Sequence, residues 1–344
     1  MAQQKRLRTL TNTLKDKASL IYASLSIKRN ISTVQINILR ATTHNLSSLP
    51  SESQIAAVLS ISNTSHILPR TCIISLMDRL HGTKSATVAM KCLFTLHNIT
   101  VQGSFTLKDQ LSCYPSYGGH NFLNLSTFRD DLDFESLQLS SWVRWYAAVI
   151  EQLLTVSRIL GYYLNSNNNN SSNKDSFVLN ASNADLLYKL ECLVVFVEQI
   201  SGVPESLELQ KTELVYEIVR MIGEDYRNVQ GEILLRLEEL GKRMEDLDIG
   251  ELNELLNYLK RLEESKENLV LLFVNRRKNN RFWEMIKEIK IRGLEKKEEI
   301  EGKWLTVVVN SNNTVAAELT RSTNPFLEPG QYFSVPQLSF ATVR

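Results

Sequence analysis

The sequence predicts an all-α protein of about ten helices, and three observations carry that expectation. Proline and glycine are scarce, 7 and 13 in 344 residues, which leaves few of the turns a strand-rich fold needs. Apolar residues recur at spacings of three and four along most of the chain, the period of a helix face. With 43% apolar and 22% charged residues, the chain has the composition of a soluble globular protein. Its length suggests about two domains and a large core that needs no disulfide or metal staple.

In order, Leu7, Leu10 and Leu14 share one face of a first helix whose other faces carry Lys5, Arg6, Arg8, Lys15 and Lys17. From Ser85 the stripe Ala89, Cys92, Leu93, Leu96 and Ile99 forms a second clear helix, which Gly103 is placed to end. From Ser141 the run Trp142, Val143, Trp145, Tyr146, Val149, Ile150, Leu153 and Leu154 reads as a heavily buried helix that stops near Gly161. Leu186, Leu187, Leu190, Leu193, Val194 and Val197 form another, opened by Ser182 or Asn183 and closed at Gly202. Leu237, Leu240, Met244 and Leu247, then Leu252, Leu255, Leu259 and Leu262, alternate threes and fours on either side of Asp248-Ile249-Gly250. This reads as an antiparallel helix pair packed within one molecule, rather than a coiled coil. Residues 165–173 are a low-complexity, asparagine-rich loop, and beyond about Trp304 falling charge and Pro325, Pro329 and Pro336 indicate a flexible tail.

Four scattered cysteines (Cys72, Cys92, Cys113 and Cys192) suit a reducing compartment. No apolar stretch follows the N-terminal Met-Ala-Gln-Gln-Lys-Arg, and runs such as Leu269–Val274 are too short to cross a bilayer. The expectation is a cytoplasmic protein whose membrane contact is peripheral, so triplets such as Asn98-Ile99-Thr100 are chance glycosylation matches. The near-neutral total of +1 hides an asymmetry. Up to Arg40, eight basic residues (Lys5, Arg6, Arg8, Lys15, Lys17, Lys28, Arg29 and Arg40) stand against the single acid Asp16. That surplus suits an anionic membrane surface; a merely solvated helix face is the plain alternative, and nucleic acid ranks below both.

No catalytic constellation is visible. The five histidines are isolated, no zinc spacing occurs, and glycine-rich phosphate loops and a nucleophile elbow are missing from the sequence. The expectation is therefore a non-enzyme with no cofactor and no metal. Asn324-Pro325-Phe326 stands in the tail, where a short Asn-Pro turn can present a phenylalanine to a small apolar pocket on a partner. Leu234-Leu235-Arg236-Leu237-Glu238 fits a clathrin-box pattern but falls inside an amphipathic helix, where it cannot be read in extended form.

Three ordered motifs carry a family resemblance. Arg40-Ala41-Thr42-Thr43-His44 resembles the Lys-Ala-Thr-x-His signature of ANTH/ENTH-type clathrin assembly proteins. Lys91-Cys92-Leu93-Phe94-Thr95-Leu96-His97 resembles the central Lys-x-Leu-x-x-x-His helix of that domain. Phe128-Arg129-Asp130 with Ser141-Trp142-Val143-Arg144-Trp145-Tyr146-Ala147 resembles its Phe-x-Asp … Trp/Phe-Val-Arg-x-Tyr-Ala segment. The resemblance covers roughly residues 1–300, and the asparagine-rich loop and the tail with Asn324-Pro325-Phe326 suit plant-type members of the clathrin-assembly lymphoid myeloid leukaemia-like family.

It implies a right-handed α-solenoid built from residues 1–164 and 176–303, with a loop at 165–175 and a disordered tail at 304–344. It also implies a peripheral adaptor of clathrin-mediated endocytosis that binds phosphatidylinositol bisphosphate at its N-terminal end. The implied partners are the clathrin/adaptor coat, EH-domain proteins through Asn324, Pro325 and Phe326, and a vesicle SNARE, at coated pits and vesicles of the plasma membrane and Golgi. Candidate lipid-binding residues are Lys15, Lys17, Lys28 and Arg29 from the basic stretch, with Arg40 and His44 from the signature. One departure stands out: where the family carries a Lys-x-Lys-His cluster after a proline, this chain has Ser51, Glu52, Ser53 and Gln54 after Pro50. That departure favours the alternative of a helical trafficking scaffold that has lost phosphoinositide binding.

Overall fold

The computed structural model describes residues 2–25, 29–63, 67–112, 122–164, 177–205, 207–272 and 280–318. Its long elements are α1 (Ala2–Ser24), α2 (Arg29–Ala41), α3 (Glu52–Leu59), α4 (Ile67–Gly82), α5 (Ala86–Gln102) and α6 (Phe105–Ser112). They continue as α7 (Phe134–Leu160), α8 (Asn183–Ser201), α9 (Glu213–Lys242), α10 (Ile249–Leu272) and α11 (Asn280–Glu318), with no strand among the described residues.

Local chemistry sets the helix ends. Asp133 caps α7 by accepting from Ser136 N–H at 2.7 Å, and Gly161 ends it with φ 81°, a left-handed conformation that costs glycine least. Ser182 caps α8, its hydroxyl accepting from Asp185 N–H at 3.1 Å, and Gly202 follows its last turn. At the end of α5 a Cβ on Gly103 would lie 2.4 Å from the Ile99 carbonyl oxygen, so only a bare residue fits that stop.

Residues up to Leu294 form one unit and those from Glu295 a second. Within the first, α1 packs on α2, α2 on α3 and α4, α4 on α5 and α6, α5 on α7, α7 on α8, and α8 on α9 and α10. Helices meeting chiefly their near neighbours in sequence is the order of an α-solenoid. Trp142, Tyr146, Phe196 and Phe282 are among its fully buried large side chains. Where α11 reaches α9, a Cβ on Gly241 would sit 2.6 Å from Ile289 Cδ1, and Arg292 donates to the Gly241 carbonyl at 2.7 Å. The bare backbone lets the two helices come this close. In the second unit α11 carries the helix-face pairs Lys296–Glu299 and Lys297–Glu301, each at 3.8 Å.

Two expectations change. The stripes of α9 and α10 are buried as predicted, but each helix packs more extensively on α8 than on the other. Of the turn expected at Asp248-Ile249-Gly250, Ile249 and Gly250 already open α10, and the break lies around the short helix Met244–Asp246. On α1, Leu10 and Leu14 are 62% and 67% exposed. Arg236 and Leu237 of the clathrin-box-like segment are buried within α9, and Arg236 reaches back to Glu232 at 2.8 Å. Cys72, Cys92 and Cys192 are buried free thiols; Cys113 and the residues Asn324, Pro325 and Phe326 lie outside the described residues. No helix described here is long and apolar enough to cross a membrane.

Candidate anion-binding cleft

A cleft of about 970 Å³ opens where α1, the α2–α3 loop, the end of α4 and the segment before α7 converge. Lys15 comes from α1, His44 from the loop, Arg79 from the last turn of α4, Lys84 from the α4–α5 link and Arg129 from the turn before α7. Four permanent cations thus face one space, shared with the carboxylates of Asp130 and Asp131.

Both carboxylates are committed to the protein. Asp130 is buried; its Oδ2 accepts from Ala86 N–H at 2.9 Å, capping α5 in place of Ser85, whose side chain makes no cap bond. Its Oδ1 accepts from Leu132 N–H at 3.2 Å, and its own N–H donates to Ser140 Oγ at 2.9 Å. Asp131 pairs with Arg129 at 2.5 Å on the surface. An Asp130→Ala change should cost about 1–3 kcal/mol, because it strands a helix-end N–H and releases the turn. Chemical denaturation with an unchanged slope would register that loss.

The other wall is held by Asp16. Its Oδ1 accepts from His44 Nδ1–H at 2.6 Å and its Oδ2 from His44 N–H at 3.0 Å, with Arg79 3.9 Å away. Burial pulls the Asp16 carboxyl upward, but the two His44 hydrogen bonds and the charges of His44 and Arg79 outweigh it and leave the group below its ordinary value. Arg79 is positioned by Thr42, donating from Nε to the hydroxyl and from a terminal nitrogen to the carbonyl, both at 2.7 Å. Buried Lys91 fixes the loop that carries His44: its ammonium donates to Thr43 Oγ1 at 2.9 Å and to the Asn45 carbonyl at 2.7 Å.

Of the residues expected at the lipid site, Lys15 and His44 line this cleft. Lys17, Arg29 and Arg40 are exposed on α1 and α2 without lining it, and Lys28 lies outside the described residues. Arg79, Lys84 and Arg129 were not expected there. Only Arg129 had a sequence signal, as part of Phe128-Arg129-Asp130. Ser51 and Gln54 form a reciprocal helix cap at the start of α3: Gln54 N–H donates to Ser51 Oγ at 3.3 Å, and Ser51 N–H donates to Gln54 Oε1 at 2.9 Å.

Away from the cleft, a buried polar chain joins three helices. His97 Nε2 on α5 lies 2.6 Å from Asp225 Oδ2 on α9, and His97 Nδ1 lies 2.8 Å from the Tyr146 hydroxyl on α7. Burial, then the Asp225 and Glu217 charges, hold the Tyr146 hydroxyl well above its ordinary range, so it stays a donor. Among the described residues no group of three His, Cys, Asp or Glu side chains is placed to hold a metal ion.

Comparison with known proteins adds the family context. The ANTH domain matches residues 33–281. Three proteins of Arabidopsis thaliana, provisionally named as clathrin assembly proteins, are 36%, 30% and 27% identical to this chain. The matches span 82%, 80% and 77% of this chain and 79%, 82% and 91% of those proteins.

Proposed function

Because the chain belongs to the ANTH domain family, we propose that it is a peripheral membrane adaptor of clathrin-mediated vesicle budding. In this reading the cleft receives a phosphoinositide headgroup of the cytoplasmic leaflet, phosphatidylinositol bisphosphate being the natural candidate. The observation that carries it is the convergence of Lys15, Arg79 and Lys84 beside His44, with Asp130 bonded to backbone N–H groups and Asp131 paired with Arg129. Clustered phosphates reward clustered cations, at about 1 kcal/mol for each Lys or Arg near an anionic leaflet. Arg79 and His44 are oriented by Thr42 and Asp16, which lowers the ordering cost of binding.

Partner recruitment completes the adaptor. Asn324-Pro325-Phe326 would hold an EH-domain protein, and the clathrin/adaptor coat would assemble on the bound chain at coated pits of the plasma membrane and on Golgi vesicles. A second groove of about 1330 Å³ runs between α3, α5 and α9. Its lining includes Ile55, Leu59, Phe94 and Met221 together with Glu217 and Arg220, a pattern that suits an amphipathic helix such as that of a vesicle SNARE.

A second reading, the trafficking scaffold without lipid binding, is favoured by the use of Ser51 and Gln54 as a helix cap where the family pattern has a Lys-x-Lys-His cluster. Vesicle co-sedimentation separates the two. Full-length chain should bind vesicles containing phosphatidylinositol bisphosphate, more weakly as salt rises, and a Lys15→Glu/Lys84→Glu variant should bind at least tenfold less tightly. Equal binding by the variant would remove the cleft from the reading, and no binding by the wild-type chain would leave the scaffold.

A further inference from the structure

We propose that the turn from Arg129 to Phe134 is a membrane-insertion element, whose Leu132 and Phe134 enter the apolar layer of the anionic bilayer that the cleft engages. The proposal rests on the headgroup reading of the cleft and adds a depth to it. Leu132 lines the cleft and is 73% exposed; Phe134, two residues on, is 74% exposed. A single exposed apolar side chain is ordinary on a protein surface. Two large ones on a fixed turn, directly beside gathered cations, match the layering of a membrane, with phosphates outside and hydrocarbon beneath.

The turn is built rather than loose. Asp130 holds it to α5 through Ala86, to itself through Leu132 N–H and to α7 through Ser140, and Asp133 closes it by capping α7. Those bonds also occupy the turn's carboxylates with donors of the protein, leaving Lys15, Arg79 and Lys84 to meet an anionic surface. Asp130 is buried, Asp131 is paired with Arg129, and Asp133 accepts a helix-end N–H; Glu135 is the further carboxylate, in the first turn of α7. Phosphate contacts weaken with salt, whereas burial of Leu132 and Phe134 does not, so inserted residues would give the salt-resistant share of binding.

The test compares the wild-type chain with Phe134→Ser, a change outside the lining of the cleft, on two probes. One is vesicles of phosphatidylcholine, phosphatidylserine and phosphatidylinositol bisphosphate; the other is soluble inositol trisphosphate. The variant should lose at least tenfold in vesicle affinity, keep the salt dependence of wild type, and bind inositol trisphosphate within twofold of wild type. Unchanged vesicle affinity would overturn insertion. A parallel loss of inositol trisphosphate binding would also overturn it, by making the turn a wall of the cleft instead. If the variant binds vesicles poorly while wild type ignores inositol trisphosphate, insertion stands and the headgroup reading falls. If wild type binds neither probe, both fall.

Discussion

An Asp225→Ala variant is expected to lose about 1–3 kcal/mol of stability, with a melting temperature lower by on the order of 5 °C. The carboxylate lies 2.6 Å from His97 Nε2, and both side chains are almost wholly excluded from solvent, at 1% and 0%. A hydrogen on Nε2 donated to the carboxylate leaves Nδ1 to accept from the Tyr146 hydroxyl, so each group satisfies the next. Removing the acid strands a ring N–H at the junction of α5, α7 and α9, where water cannot replace it. Asp225→Asn retains an acceptor of the same size and should cost less than half as much. Tyr146→Phe, which removes only the terminal donor, should cost about 1 kcal/mol. Thermal and denaturant melts of the three variants check the ranking. An alanine variant as stable as wild type would mean that the chain adds nothing to holding the helices together.

A Lys91→Met variant should differ from wild type most sharply in how stability varies with pH. Burial pushes the Lys91 ammonium down to about 8, against a partial upward pull from the Asp16 charge. The unfolded chain keeps the ordinary value of 10.5, so between about pH 8 and 10.5 it binds more protons than the folded chain. Stability therefore rises with pH across that window, by up to on the order of 3 kcal/mol from this one group. Methionine has no proton to lose, and the variant should miss that rise while other titrating groups act alike in both chains. Parallel stability curves from pH 7.5 to 10.5 would show that the Lys91 proton is not linked to folding. At neutral pH the same variant leaves Thr43 and the Asn45 carbonyl without their donor, so the loop bearing His44 should loosen and the cleft lose affinity.

The all-helical class, the helices around Leu93, Trp142 and Leu190, and the existence of a break between α9 and α10 were legible in the sequence, although that break lies a few residues before Ile249. Each depends on spacing within a few residues, where chain geometry leaves few alternatives. Apolar periodicity says that a face is apolar and not what it meets. Hence α9 and α10 read as an antiparallel pair although both lean on α8. The cleft was legible only in part for the same reason. Lys15 and His44 carry local signals, but Arg79, Lys84 and Arg129 come from separate segments that only the packing of α1, α4 and α7 brings together. Asp130 caps a helix 44 residues away, and the histidine that looked isolated at position 97 has partners 49 and 128 residues distant. Contacts of that span leave no pattern in a single sequence.

The cap at the start of α3 has a consequence for any attempt to graft a relative's basic cluster onto this chain. Ser51 and Gln54 each satisfy the other's backbone N–H, and Glu52 sits in the first turn, where a negative charge suits the positive end of the helix. Replacing the segment with lysines and a histidine would strip the helix of its opening bonds and crowd cations against its positive pole. The local sequence has become a different kind of part, a structural stop rather than a contact surface. A productive transplant would have to move the start of α3 together with the charges.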